Sequence, residues 1–119
     1  MESLTGEFNL FLFYGSISHD LVLVVKTSDF PKTLAALLSW EKTMWLDWKP
    51  FLSEADIQNI QQFAFADDII KNNDARVFKD KTNRTILGYA VFNRQYVIIS
   101  TSRDAISAIL DRLITLPPR

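Results

Sequence analysis

One carboxylate, Glu41, falls where the sequence otherwise places only apolar side chains. Over the stretch FPKTLAALLSWEKTMWLDWK, from Phe30 to Lys49, a rotation of ~100° per residue gathers Leu34, Leu37, Leu38, Met44, Trp45 and Trp48 on one broad face. Glu41 projects into the middle of that face, and Ser39, Lys42, Thr43 and Asp47 point elsewhere. A carboxylate buried without a partner costs several kcal/mol or takes up a proton. Two chemistries meet the requirement. In one, Glu41 is a structural residue, satisfied by an arginine or by backbone donors. In the other it is a pocket carboxylate that recognises a ligand or works as a general acid or base. Aromatic walls beside one convergent charge suit a cationic or amine-bearing ligand, so Glu41, Trp45 and Trp48 form the candidate ligand-binding set.

Other reactive constellations do not form, and no catalytic residue is assigned. His19 is the only histidine, stands in a polar connection, and has no second histidine at metal-ligand spacing. Asp67 and Asp68, with Asp56 nearby, match no calcium-loop pattern and read as a solvated acidic turn. Three glycines, Gly6, Gly15 and Gly88, are too few and too scattered for a phosphate-binding loop. No serine lies in a G-x-S-x-G turn, and there is no cysteine to serve as nucleophile, thiolate ligand or disulfide. The reading therefore carries no metal site and no cofactor. Lys71, Arg76, Lys79, Lys81, Arg84, Arg94 and Arg103 are interleaved with Phe78, Tyr89, Phe92 and Tyr96. Without an RNP-like motif or a dense basic cluster, and in a net acidic chain, these aromatics read as core; nucleic acid is not an expected partner.

The elements that must position Glu41 are legible. Ser28 and Asp29 offer an N-cap, Pro31 fits the first turn and Pro50 marks a stop, so one helix is expected over 30–49. Phe8–Gly15 and Leu21–Thr27 read as two strands; the run Leu21–Val25 suits a central strand buried on both faces. A capping pattern at Ser53–Asp56 opens a short helix over 54–63, with Ile57, Ile60 and Ala64 inward. Residues 63–71 are ambiguous between strand and helix end, and Asn72-Asn73-Asp74 is a turn. Strands are expected over 75–79, 85–92 and 96–101, with Gly88 as a bulge or close-packing point. A last helix over about 103–114 is capped by Thr101 or Ser102 and turns Ile106, Ile109, Leu110 and Leu113 inward. Val24–Ser28 and Ile98–Ser102 echo one another as strand, Thr-Ser cap and helix start. The expected fold is α+β in two layers: a mostly antiparallel sheet of about five strands, two or three helices on one face, and a duplicated ββα unit as one origin.

At 119 residues, 48% hydrophobic and 13% aromatic, the chain suits a single compact domain over 1–119. Its formal charge of −1 conceals a division: residues 1–70 hold four basic against ten acidic side chains, and residues 71–119 hold nine against four. Such parts attract across one core; a charged homodimer face is the alternative. The apolar runs are far shorter than the ~20 residues a spanning helix needs, so these residues predict no direct membrane contact. Glu2 and Glu7 stand where a signal peptide carries positive charge.

Three segments carry a resemblance. Leu37–Met44 (LLSWEKTM) resembles an L-x-W-E-K-x-M segment, Asp68–Val77 (DIIKNNDARV) an IIKN-x-D-x-RV segment, and Tyr96–Leu113 a closing strand–helix LVITTSxxALxEIxxRL. Together they resemble an uncharacterised C-terminal domain of predicted membrane-anchored proteins from uncultured small-genome bacterial lineages. The resemblance implies an extracytoplasmic position, or a cytoplasmic one if Met1 is the native start; it carries over no catalytic residue. The expected function is a non-enzymatic interaction domain of a bacterial surface or envelope protein, binding a protein partner through exposed aromatics such as Phe8, Phe11 and Phe13. The alternative is a small-ligand sensor built on Glu41, Trp45 and Trp48.

Overall fold

The computed structural model describes the backbone of residues 7–14, 19–52, 54–60 and 64–115, and the side chains of residues 22–52, 54–60 and 64–114. Among the described residues six antiparallel strands form one sheet: β1 (Glu7–Tyr14), β2 (His19–Lys26), β3 (Ala66–Ile70), β4 (Asn73–Lys79), β5 (Thr85–Phe92) and β6 (Tyr96–Ser100), in the order β1-β2-β6-β5-β4-β3. Among the described residues the helices are α1 (Phe30–Trp40), α2 (Met44–Trp48), α3 (Glu54–Gln58) and α4 (Arg103–Thr115), and a 3-10 turn spans Lys49–Phe51. The α+β class and the antiparallel sheet are as expected. The ambiguous segment resolves as β3, and β2 begins at His19 rather than Leu21.

The helices do not share one face. Val25, Phe78, Leu87, Tyr89, Val97 and Ile99 pack with Leu37, Met44 and Trp48 of α1 and α2. Val22, Val24, Ala75, Ala90 and Ile98 pack on the other side with Ala105, Ile106 and Leu110 of α4. The expected two-layer arrangement is therefore corrected to three layers, for a reason present in the strands. β2, β5 and β6 are apolar at successive positions, and a strand apolar on both faces needs cover on both. The echo between Val24–Ser28 and Ile98–Ser102 holds in the strands, since Val25 and Ile99 face one core and Val24 and Ile98 the other. It fails in the helices, which leave to opposite sides, so the two ββα halves are not spatial copies.

Local details follow from the side chains. Asp29 caps α1, its Oδ1 accepting from the Lys32 N–H at 3.2 Å, and Ser102 caps α4, its Oγ accepting from the Ala105 N–H at 3.2 Å. The helix expected over 30–49 breaks at residues 41–43. Thr43 takes φ −126° and ψ 1°, outside the helical well, and its carbonyl opens α2. The break re-aims the apolar stripe. Leu37, Met44 and Trp48 are buried, whereas Leu34 stays half-buried and Leu38 exposed. Thr33, which the stripe did not include, is buried and shares a 2.6 Å hydroxyl–hydroxyl hydrogen bond with Thr27.

Beyond α3, Ile60 is buried and Ala64, expected inward, is exposed. Phe78 pairs with Leu87 and Lys79 with Thr85, which leaves Ile86 as the extra residue of a bulge. Consecutive Ile86 and Leu87 can therefore both enter the α1-side core. Gly88 is the expected close-packing point: a Cβ there would lie 3.1 Å from the Arg76 carbonyl oxygen and 3.2 Å from Val77 Cγ1. Among the described residues no helix is long and apolar enough to cross a membrane.

Candidate functional site

Glu41 ends α1, its N–H still bonded to the Leu37 carbonyl at 3.0 Å. Its side chain reaches over the α1 face of the sheet to Arg76 on β4 and Tyr89 on β5. Those two residues are register partners, and Asp67 of β3 pairs with Arg76 from the other side, so one row across three strands is polar. Arg76 donates from Nη2 to Glu41 Oε1 at 2.7 Å and from Nε to Oε2 at 2.9 Å, a bidentate fork. The Tyr89 hydroxyl donates to the same Oε2. Arg76 Nη1 donates to Asp67 Oδ1 at 2.9 Å.

The Glu41 side chain is 11% exposed and that of Arg76 28%. Hydrogen bonding to Glu41, above all, raises the Arg76 guanidinium further above its ordinary range, against the opposing effect of burial and with help from Asp67. Burial first, and then the hydrogen bond to the carboxylate, push the Tyr89 hydroxyl well above the ordinary tyrosine value. The arrangement keeps the guanidinium charged and the phenol neutral. Its chemistry is that of a clamp joining α1 to two strands.

The three residues proposed for a ligand pocket are placed differently. Trp48 is buried in the α1-side core, its ring edge-on to Phe51 with centroids 5.8 Å apart, and Trp45 packs against that core. Glu41 is taken up by Arg76 and Tyr89. Two clefts are described, and neither has Glu41, Trp45 or Trp48 in its wall. Phe8, Phe11 and Phe13 lie on β1, an outer strand, opposite Val25, Val22 and Asp20; their side chains lie outside the described residues. Phe78 and Tyr89, weighed as stacking aromatics, are buried.

The first cleft, about 710 Å³, lies at the start of α4 and is lined by opposed charges, among them Lys79, Arg84 and Arg103 against Asp56, Asp68 and Asp104. Arg84 is paired with Asp56 and Asp80 there. The second cleft, about 740 Å³, runs between α1 and the β3–β4 hairpin. Leu34 and Leu38 form one wall, Ile69, Tyr89 and Val91 contribute apolar surface, and Asp67, Asp74 and Arg76 add charge. Leu38 is 46% exposed and Ile69 63%, and the two face one another across this cleft.

The sheet edge beside this cleft is occupied by the chain itself. Lys71 and Asn72 have φ of 51° and 64°, the left-handed pair of a two-residue hairpin turn. Ile70 and Asn73 flank that turn as a hydrogen-bonded pair, so alternation aims the N–H and C=O of Ile69 outward, away from β4. The Ile69 N–H donates to Asp68 Oδ1 at 2.8 Å, and the Ile69 carbonyl accepts from Arg103 Nη2 at 3.0 Å. Arg103 Nε donates to Asp68 Oδ2 at 3.2 Å and closes the clasp.

Sequence reasoning singled out Glu41 but not its partners. A signal existed: Arg76 alternates with Phe78 on β4, a charge at a core-facing strand position. The cleft was not legible, because it depends on the break that leaves Leu34 and Leu38 outside the core. Compared with family models, curated proteins and solved structures, the chain finds no match in any of the three.

Proposed function

We propose that this chain is a non-catalytic interaction domain that binds a protein partner through the cleft between α1 and the β3–β4 hairpin. The observation that carries the reading is the exposure of Leu38 and Ile69 on facing walls of one cleft, continued by Leu34, Tyr89 and Val91. Apolar side chains converging on a concave site bury favourably against a partner, at roughly 25 cal/mol per Å². A catalytic reading has less support, because Glu41 is committed to Arg76 and Tyr89, and the buried Asp80 to Thr82 and Arg84. The resemblance of the Leu37–Met44, Asp68–Val77 and Tyr96–Leu113 segments supports an extracytoplasmic position in a membrane-anchored parent.

The test is selection of displayed random peptides, about a dozen residues long, on the immobilised domain, with the Leu38→Ser/Ile69→Ser double variant as counter-selection. Both positions are exposed, so the variant keeps its fold. Enrichment on the native surface that vanishes on the variant supports the reading. Enrichment indifferent to both substitutions, or none, overturns it.

A further inference from the structure

Resting on that reading, we infer that the cleft selects a partner segment carrying a lysine or arginine next to an apolar side chain, and that it docks through side chains rather than as an added strand. The charge pattern points to the cation. Asp67 is bonded to Arg76, Arg76 is shared with Glu41, and Asp68 is held by Arg103. Asp74 is left over: it is exposed, lines the cleft, and has no ion-pair partner among the described residues. It is the register partner of Ile69, so its carboxylate stands on the same face as the most exposed apolar side chain of the cleft. A partner that covers Ile69 and Leu38 with an apolar group brings its neighbouring side chain to Asp74. In a site partly closed to water that neighbour is favoured if positive and penalised if negative.

The mode of docking follows from the clasp. A strand adding to β3 would need the outward N–H and C=O of Ile69, and both are already bonded to Asp68 and Arg103. The occupant is also not a second copy. A two-fold contact through the same surface would bring together two linings that each hold Asp67, Asp68 and Asp74 against Arg76 alone, and so repel.

The experiment repeats the peptide selection on Asp74→Lys, an exposed substitution that leaves the apolar walls intact. Peptides selected on the native domain are expected to carry Lys or Arg beside an apolar residue, and to bind Asp74→Lys at least about tenfold more weakly, a ratio worth ~1.4 kcal/mol. Selection on Asp74→Lys itself is expected to enrich Asp or Glu at that place. Cleft-dependent peptides with no basic preference and equal affinity for Asp74→Lys overturn this inference and leave the interaction reading standing. Peptides that bind the domain but compete with none of the cleft substitutions overturn both. A selected peptide that strips the Ile69 amide from Asp68 and protects it from hydrogen exchange as a strand would overturn the docking mode.

Discussion

The Glu41 clamp makes a quantitative test of the fold. Glu41→Gln keeps the volume and removes the charge, so no cavity complicates the result. The carboxylate accepts two hydrogen bonds from Arg76 and one from Tyr89. The amide keeps one acceptor oxygen and turns an N–H₂ group toward a donor. Breaking a fully buried ion pair costs about 3–5 kcal/mol. Here the Arg76 side chain is 28% exposed and retains Asp67, which lowers the figure. With charge-assisted hydrogen bonds contributing about 1.5–3 kcal/mol, the expected loss is about 2–3 kcal/mol. In urea unfolding this appears as a lower midpoint at unchanged slope. In a thermal scan of a domain this size it corresponds to a fall in Tm of about 8–12 °C. Tyr89→Phe removes one donor and should cost about 1 kcal/mol. The double variant should lose less than the sum, because both substitutions touch Oε2. A loss below about 0.5 kcal/mol for Glu41→Gln, the level of an ordinary surface substitution, would refute the reasoning.

Further expectations concern the core, the edge and acid stability. Leu37→Ala, at a position with no exposure, should cost about 2–5 kcal/mol in chemical denaturation. Gly88→Ala should lose about 1–3 kcal/mol, since its Cβ would press on the Arg76 carbonyl and Val77 in the neighbouring strand; a neutral or stabilising result would mean that β4 yields freely. Removing the clasp with Arg103→Ala should speed hydrogen exchange at the Ile69 amide and increase concentration-dependent association in sedimentation velocity, because an open strand edge is a pairing template. Unchanged exchange and association would show the clasp to be incidental. The Asp68 and Asp80 carboxyls are both held below the ordinary range. At Asp68 burial opposes ionisation but is outweighed by the Ile69 N–H and the Arg103 guanidinium; at Asp80 the Thr82 hydroxyl leads, and the Arg84 and Thr82 N–H groups outweigh burial. Their stabilisation is therefore full above the unfolded value of about pH 4 and is lost as pH falls through the lower folded values, because the unfolded chain takes up protons first. Urea midpoints measured against pH should drop below about pH 4, and Asp80→Asn should flatten that decline.

By itself the sequence determined the elements, because each rests on local chemistry. Asp29 with Pro31 and Ser102 with Asp104 open helices wherever they stand, and the runs through Leu21–Val25 and Tyr96–Ser100 are strands in any context that buries them. It also marked Glu41 as a carboxylate needing a counterpart, within the protein or in a ligand, and left attraction between the acidic and basic halves beside a charged dimer face as the alternative. The ion pairs Glu41–Arg76, Asp67–Arg76, Asp56–Arg84 and Asp68–Arg103 each join one half to the other. Only the tertiary structure decided which partners these were, since 35 positions separate Glu41 from Arg76 and nothing local links them. It likewise decided that the helix breaks near Thr43. Helical periodicity favours continuing through 41–43, but burying Met44 and Trp48 while Glu41 reaches Arg76 and Tyr89 requires two axes. From that break follows the cleft. Leu34 and Leu38 belong by period to the core stripe, and only the direction imposed on α1 by its packing leaves them at the surface, facing Ile69.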